Sequence, residues 1–201
     1  MTSQSSCQGE LTNQNLMLPR ERILATAAEL FYRKGFQHVG INEVIESSNV
    51  AKRTFYRYFP SKDELILSVM RYQATRWLEW FESSLKQRGN TPKQKILASF
   101  DVLEEWYSSP DFYGCPFVKA VLEIADAEHP AHQISVMVRQ SIRTQILQLA
   151  FEAGVASPET FSQQYLLLIG GSILMATIEG TPMGAKYARE TIIVLMNVSS
   201  I

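Results

Sequence analysis

Cationic and phenolic side chains are concentrated in one short segment, which reads Lys52-Arg-Thr-Phe-Tyr-Arg-Tyr-Phe59. If this segment is helical, Phe55 and Phe59 lie four residues apart on one face and can anchor it to a small core. The remaining side chains then mostly face outward, namely Arg53, Thr54, Tyr56, Arg57 and Tyr58. Such side chains suit phosphate oxygens and the edges of DNA bases. The segment therefore predicts a DNA-binding surface, although ordinary half-buried packing is the alternative for the two tyrosines.

Two short helices joined by a tight turn would position this surface. Apolar periodicity predicts one helix from Asn42 to Ser48 and a second from about Lys52 to Tyr58. Asn49 between them tolerates the left-handed conformation that a tight turn needs. A preceding helix from Pro19 to Lys34 begins with a proline and stops at a glycine. This is the arrangement by which helix-turn-helix proteins place their second helix in the major groove.

The rest of the chain also shows helical periodicity, and no strand-like alternation persists. We predict nine helices in total and an all-α fold. A capping box at Ser61 and Glu64 starts the fourth helix, and the domain boundary should fall within that helix, near Asp63 to Met70. The expected organisation is a flexible tail over residues 1–18, a helix-turn-helix domain over residues 19–64 and a larger C-terminal domain over residues 65–201.

Charge is divided unevenly along the chain. From Arg20 to Lys62 there are eight Lys/Arg and four Asp/Glu, so this segment carries +4 while the whole chain carries −1. A basic segment joined to an acidic body fits a protein that meets a polyanion at one end, although chance surface charge is the alternative. Two cysteines, Cys7 and Cys115, are too few for a disulfide framework, which favours a cytoplasmic setting. The apolar stretch Tyr165–Ile178 is predicted to be a buried helix, too short for a membrane span.

Residues 36–65 resemble the DNA-binding signature of the tetracycline-repressor (TetR) family. The resemblance is strongest in the run from Asn49 to Leu65, Asn-Val-Ala-Lys-Arg-Thr-Phe-Tyr-Arg-Tyr-Phe-Pro-Ser-Lys-Asp-Glu-Leu, and the first helix also matches the family's opening pattern. It covers about 45 residues, with agreement in spacing, aromatic positions and the Pro-Ser-Lys exit. The chain differs where family members often carry Ser or Thr, at Gly40 and Ile41, and where they commonly carry Ala-Gly, at Ser48-Asn49.

The resemblance implies a role for each matched position. Arg53 and Arg57 would contact base edges, and Lys52 would lie close to either a base or the backbone. Thr54, Tyr56, Tyr58 and Lys62 match positions that bind phosphates, whereas a solvated surface charge is the alternative for Lys62. The family also implies a repressor that binds a palindromic operator as a homodimer and is released when a small molecule shifts the fourth helix. No cofactor is expected.

The C-terminal domain carries features that fit this expectation. The eighth helix is apolar on more than one face and contains small residues, so we predict a homodimer through residues 158–198, with a monomer core helix as the alternative. Bulky side chains in the middle helices could line an apolar effector pocket, for which the candidates are Trp77, Phe81, Phe100, Trp106, Phe117 and Met137.

Other chemistry is weaker in the sequence. Cys115 lies near a predicted helix N-terminus and is a candidate redox or electrophile sensor, against an alternative as a plain buried residue. His129 and His132 flank Pro130, which breaks the spacing that metal ligands on a helix would use, so no metal site is expected.

The sequence contains no glycine-rich phosphate loop, paired-cysteine motif or nucleophile elbow that would indicate an enzyme. A helical protein-binding or membrane-binding module without operator specificity is the remaining rival.

Overall fold

The structure is a computed structural model that describes residues 18–198, and within that range every regular secondary-structure element is a helix. The predicted tail therefore lies, apart from Leu18, outside the described residues. Nine helices follow one another in the described range, which confirms the predicted fold class. Their bounds are α1 Pro19–Lys34, α2 Ile41–Ser47, α3 Lys52–Tyr58, α4 Lys62–Arg88, α5 Pro92–Tyr107, α6 Pro116–Ile124, α7 Pro130–Glu152, α8 Pro158–Glu179 and α9 Met183–Val198.

The first three helices and the start of α4 pack together as a small head, whose buried residues are continuous with the core of the body. Phe31 of α1, Val44 of α2 and Phe55 of α3 are all almost completely buried there. Asn49 adopts a φ of 50° between α2 and α3, which is the left-handed conformation expected of the turn residue. Burying these side chains holds α3 against α1 and leaves its opposite face in solvent.

Helices α4 to α9 form the larger body, and α4 belongs to both parts because its first turns pack on α1. The Ser61 hydroxyl accepts a hydrogen bond from the Glu64 N–H at 3.1 Å and so caps the start of α4. Thr91 and Gln94 form a reciprocal capping box at the start of α5. Helix α8 lies centrally, packed against α7 on one side and α9 on the other.

Helix α8 is longer than the apolar stretch that the sequence singles out. It has 22 residues and is long and apolar enough to cross a membrane, so the expectation that its length rules out a membrane span is wrong. Its packing indicates a core helix instead. Phe161, Tyr165 and Leu166 are buried, and the Tyr165 hydroxyl donates a hydrogen bond to the Ser99 hydroxyl oxygen at 2.6 Å. A polar contact of this kind to α5 is typical of the interior of a helical bundle.

Candidate nucleic-acid interface and interhelical cavity

Helix α3 divides its side chains cleanly between the core and the solvent. Phe55 is 0% exposed, whereas its neighbour Tyr56 is 40% exposed. Phe59 is buried beside Phe55, with the ring centroids 6.0 Å apart. The anchoring face predicted from the four-residue spacing is therefore confirmed. Lys52, Arg53 and the other polar side chains of this helix are left on the surface or half-buried at its edge.

The cations of α3 have no carboxylate partner within the described residues. Arg57 stacks on the ring of Tyr58, 4.8 Å from its centroid, and donates to the Tyr58 hydroxyl oxygen at 3.2 Å. In contrast, the cations at the end of α1 are paired, Lys34 with Glu43 and Arg33 with Glu29. The positive charge on the outer face of α3 is thus not neutralised by nearby carboxylates. Such a surface attracts a polyanion.

Three of the predicted phosphate-binding side chains lie at the margin of this surface. Lys62 is half-buried and donates a hydrogen bond to the backbone oxygen of Gln37 at 3.2 Å. Thr54 and Tyr58 are also half-buried, and Tyr58 packs partly against the core. The Lys62 ammonium has two further protons for a phosphate, because a lysine carries three donors. In the DNA-free protein, however, it ties α4 to the loop between α1 and α2.

An apolar cavity of about 340 Å³ lies among helices α4 to α8. Of the six predicted effector-binding residues, Trp77, Trp106 and Phe117 line this cavity. Phe81 and Phe100 lie in the packed core and do not reach it, and Met137 is exposed beside a different cleft. The structure thus brings together half of the predicted set. The volume of the cavity falls within the range of small-molecule pockets, at the lower end.

Residues that sequence reasoning missed complete the lining of this cavity. They share an apolar or hydrogen-bonding character and come mainly from α6, α7 and α8: Val118, Val121, Leu122, His132, Ser135, Val136, Val138, Arg139, Ile142, Leu166, Ile169, Gly170 and Ile173. The spacing of His132, Ser135 and Arg139, three and four residues apart on α7, is a signal that could have indicated one shared face.

Cys115 is the residue immediately before α6, and it also contributes to the cavity wall. Burial raises the pKa of its thiol, and the backbone N–H groups of Val118 and Phe117 offset only part of that effect. The thiol form is therefore favoured over the reactive thiolate at neutral pH.

The histidines beside Pro130 do not form a metal site in the described residues. His129 serves a structural role, since its Nδ1 accepts a hydrogen bond from the Ala131 N–H at the start of α7. Residues 18–198 contain no group of three His, Cys, Asp or Glu side chains placed to hold a metal ion.

Helix α6 links the cavity to the head. One face of α6 contributes Val118 and Leu122 to the cavity, and the other face presents Glu123 to the loop after α1. The Glu123 carboxylate accepts hydrogen bonds from the backbone N–H groups of Phe36, at 2.6 Å, and Gln37, at 3.1 Å. We call this set of contacts between Glu123, Phe36 and Gln37 the α6 clasp. Such charge-assisted hydrogen bonds are among the stronger polar contacts in proteins.

Gly35 leaves room for the Glu123 carboxylate in the α6 clasp. Its φ of +93° lies in the left-handed region, and a Cβ added there would lie only 2.8 Å from a carboxylate oxygen of Glu123. Lys119 reinforces the clasp by donating to the Tyr32 backbone oxygen at 3.0 Å. The position of the head is therefore connected by direct hydrogen bonds to a helix that forms one wall of the cavity.

A stripe of large apolar side chains remains exposed along α8 and α9. On α8 it comprises Leu167, Leu174 and Ile178, which recur at helical spacing, and Ile178 is 73% exposed. On α9 it continues through Tyr187 and Val194. Large contiguous apolar surface of this kind is uncommon on a monomer and marks an interaction site.

Comparisons with known proteins agree with this geometry. Residues 23–69 match the model of the family described as bacterial regulatory proteins, tetR family. A TetR-family transcriptional regulator from Streptomyces coelicolor has the same fold, with a TM-score of 0.84 at 23% identity, covering 91% of this chain and 96% of that one.

Two curated relatives match over shorter stretches. An HTH-type transcriptional regulator of Lactococcus lactis is 29% identical over 60% of this chain, and the HTH-type transcriptional repressor NemR of Escherichia coli is 27% identical over 53%. The chain spans 64% and 54% of the lengths of these two relatives.

The head, its outward basic helix and the helical body are those of a helix-turn-helix transcriptional regulator. Residues 23–69 therefore carry the DNA-binding region typical of the tetR family of bacterial regulatory proteins, and the chain shares the fold of a TetR-family regulator. The expectation that arose from residues 36–65 is therefore confirmed.

Proposed function

We propose that this protein is a ligand-released repressor that binds a palindromic DNA operator as a homodimer in the cytoplasm. The observation that carries the proposal is the outer face of α3, where Lys52, Arg53 and Arg57 lie on the surface without carboxylate partners in the described chain. In this proposal Arg53 and Arg57 contact base edges, with Lys52 beside them. Thr54, Tyr56, Tyr58 and Lys62 hold phosphates. The name of the relative NemR, a transcriptional repressor, supports the direction of the effect.

The second copy would pack on the exposed stripe of α8 and α9. A twofold interface uses the same patch on both subunits, and the stripe is apolar enough to be self-complementary. A Cβ added at Gly171, which lies one turn from Leu167 and Leu174, would meet open space, so the partner helix has room to approach closely there. In this arrangement two α3 helices would have to lie about 34 Å apart, or a multiple of that distance, to enter successive major grooves.

Selection of bound sites from random duplex DNA tests the proposal directly. We expect a palindromic site and an affinity that falls steeply with salt, because phosphate contacts release counterions. The half-site spacing would also report the dimer geometry. Binding that depends on salt but shows no sequence preference would contradict the repressor assignment and favour an interaction module that only uses the scaffold.

The Arg57→Ala variant should lose discrimination at one position of each half-site. A bidentate arginine contact to a base is worth about 1–3 kcal/mol of discrimination, so the preferred base there should become about 5 to 150 times less favoured. Measuring affinity for every single-base variant of the selected site checks this. Lys62→Ala is the matched control, since loss of a phosphate contact should weaken all sites alike. Uniform weakening by Arg57→Ala would contradict its assignment to a base.

The α6 clasp provides a route by which a ligand in the cavity could reposition the head. A ligand that favours one placement of α6 over another would shift the position of Phe36 and Gln37 through Glu123, and so the spacing of the two reading helices. The family precedent routes this change through α4, which also lines the cavity at Trp77. Both helices would then act together on the head.

Glu123→Ala should loosen the loop after α1 without unfolding the body. Each hydrogen bond to a charged acceptor contributes a stabilising free energy of about 1.5–3 kcal/mol. Without the carboxylate, the amides of Phe36 and Gln37 should therefore exchange with deuterium about tenfold faster or more. Hydrogen exchange read by NMR or mass spectrometry measures this. Glu128→Ala, an exposed carboxylate beyond the end of α6, is the control and should leave both amides unchanged. Unaltered exchange in Glu123→Ala would show that the clasp does not restrain the head.

A thiol-based sensor is a second candidate function, favoured by the position of Cys115 on the cavity wall. Because burial raises the pKa of this thiol, the thiolate fraction should stay small at pH 7 and keep rising above pH 9. Alkylation of Cys115 by iodoacetamide, distinguished from that of Cys7 by peptide mass spectrometry, should accordingly be slower in the folded protein than in the unfolded chain at pH 7 and should accelerate steeply with pH. Fast alkylation at neutral pH together with loss of operator binding would favour the sensor; Cys115→Ala should otherwise retain DNA binding.

A further inference from the structure

Most of the polar side chains of the cavity lie along one face. Trp77, Trp106 and Phe117 supply aromatic walls, and valine, leucine and isoleucine side chains supply most of the remainder. The polar side chains are concentrated on α7, at His132, Ser135 and Arg139. No aspartate or glutamate is among the described residues that line the cavity. A ligand therefore meets a largely apolar interior with the Trp77 indole N–H in one wall and the polar side chains of α7 along one face.

The donors on this strip are not equivalent. The Ser135 hydroxyl is already engaged, because it lies within hydrogen-bonding distance of the backbone oxygens of Phe117, at 3.1 Å, and Ala131, at 3.0 Å. His132 and Arg139 have no side-chain hydrogen bond or ion pair to another described residue. Residues 132 and 139 lie two turns apart on the same face of α7. His132 is half-buried and Arg139 is exposed, which places the two side chains at the mouth of the cavity.

Charge at the mouth is therefore positive and uncompensated. An arginine beside an apolar cavity attracts a carboxylate both by its charge and by its planar pair of N–H donors. A cationic ligand would face the Arg139 guanidinium without any carboxylate in the lining to balance its own charge. A neutral ligand of the same shape would gain the apolar contacts alone.

We propose that the cavity binds an amphipathic organic monocarboxylate, with its apolar body among the aromatic and aliphatic walls and its carboxylate at Arg139 and His132. The inference rests on the proposed function only in taking this ligand to be the effector. The binding site itself follows from the lining. Helix α6 supplies one apolar wall, so the body of the ligand would contact the same helix that carries the clasp to the head.

Three probes with one ten-carbon chain and different head groups test the ligand class: decanoate, decanol and decylammonium. Trp77 and Trp106 line the cavity, so intrinsic tryptophan fluorescence of the full chain reports occupancy. We expect decanoate to bind about tenfold more tightly than decanol, and decylammonium to bind most weakly. Equal affinity for decanoate and decanol, or tighter binding of decylammonium, would overturn the proposal.

Variants of Arg139 test the residue assignment. Arg139→Gln should weaken decanoate about three- to tenfold and leave decanol unchanged, because the exposed guanidinium contributes a partly screened contact. Arg139→Lys should retain part of the preference. Arg71→Gln, an exposed arginine on α4 away from the cavity, is the charge-matched control and should behave as the unaltered protein. Identical decanoate affinity in Arg139→Gln and Arg71→Gln would contradict the role of Arg139.

The two proposals fail separately in these measurements. Fluorescence reports ligand binding without DNA, and operator binding is measured without ligand. A preserved head-group preference in a protein that shows no sequence-selective DNA binding would leave the ligand class intact and refute the repressor. Selective operator binding together with no preference for decanoate would do the reverse.

Discussion

Leu174→Glu is expected to convert the protein into a monomer that has lost its operator affinity. Leu174 is 58% exposed in the single chain and lies in the middle of the apolar stripe on α8, so a glutamate there is solvated and harmless to the monomer fold. In a twofold dimer the same position would bury two unpaired carboxylates against each other, which is strongly unfavourable. The dimer should therefore dissociate while each chain stays folded.

The loss of DNA binding follows from geometry rather than from damage to α3. A dimer binds the second half-site intramolecularly, which raises the overall affinity about 100-fold or more over that of one head. Analytical ultracentrifugation and operator titration together measure both effects. Phe151→Glu is the control, because Phe151 is similarly exposed but lies at the end of α7, outside the stripe. A Leu174→Glu protein that still sediments as a dimer would place the interface elsewhere.

Local signals in the sequence predicted most helix bounds well. Prolines at Pro19, Pro92 and Pro158 each begin a helix, where a missing N–H costs nothing. The end of α6 was less predictable. The apolar pattern from Phe117 predicts a sixth helix as far as Ala127, whereas α6 ends at Ile124 and Ala125 adopts a left-handed φ of 52°. Alanine rarely takes that conformation, so no local residue preference could signal the stop.

The two parts of the site differ in how far the sequence could predict them. The outer face of α3 is set by spacing within seven residues, and Phe55 together with Phe59 is enough to orient it. The cavity depends on contacts between distant helices. Periodicity could not separate Trp77, which lines it, from Phe81, one turn later and buried in the core. Glu123 was missed for the same reason, since its partners at Phe36 and Gln37 lie 87 and 86 residues away.

The adjacent residues Phe55 and Tyr56 provide the sharpest test of the orientation of α3. Phe55→Ala should destabilise the head by about 3–5 kcal/mol, because a fully buried ring is replaced by a cavity between α3 and α1. The melting temperature should fall by roughly 10 °C, and operator binding should be lost as the head unfolds. Phe55→Leu should recover much of the stability, since it refills most of the space.

Tyr56→Ala should have the opposite profile. Its ring is exposed and meets Phe55 only edge-on, at a centroid distance of 5.4 Å, so removing it should change the free energy of unfolding by no more than about 0.5 kcal/mol. DNA affinity should nevertheless fall on all sequences alike, as expected for a side chain that holds a phosphate. Because the two positions are consecutive, a difference in backbone conformation cannot explain opposite outcomes. A Tyr56→Ala protein that unfolds as readily as Phe55→Ala would mean that α3 packs its phenols inward, and no outward face would remain to enter a groove.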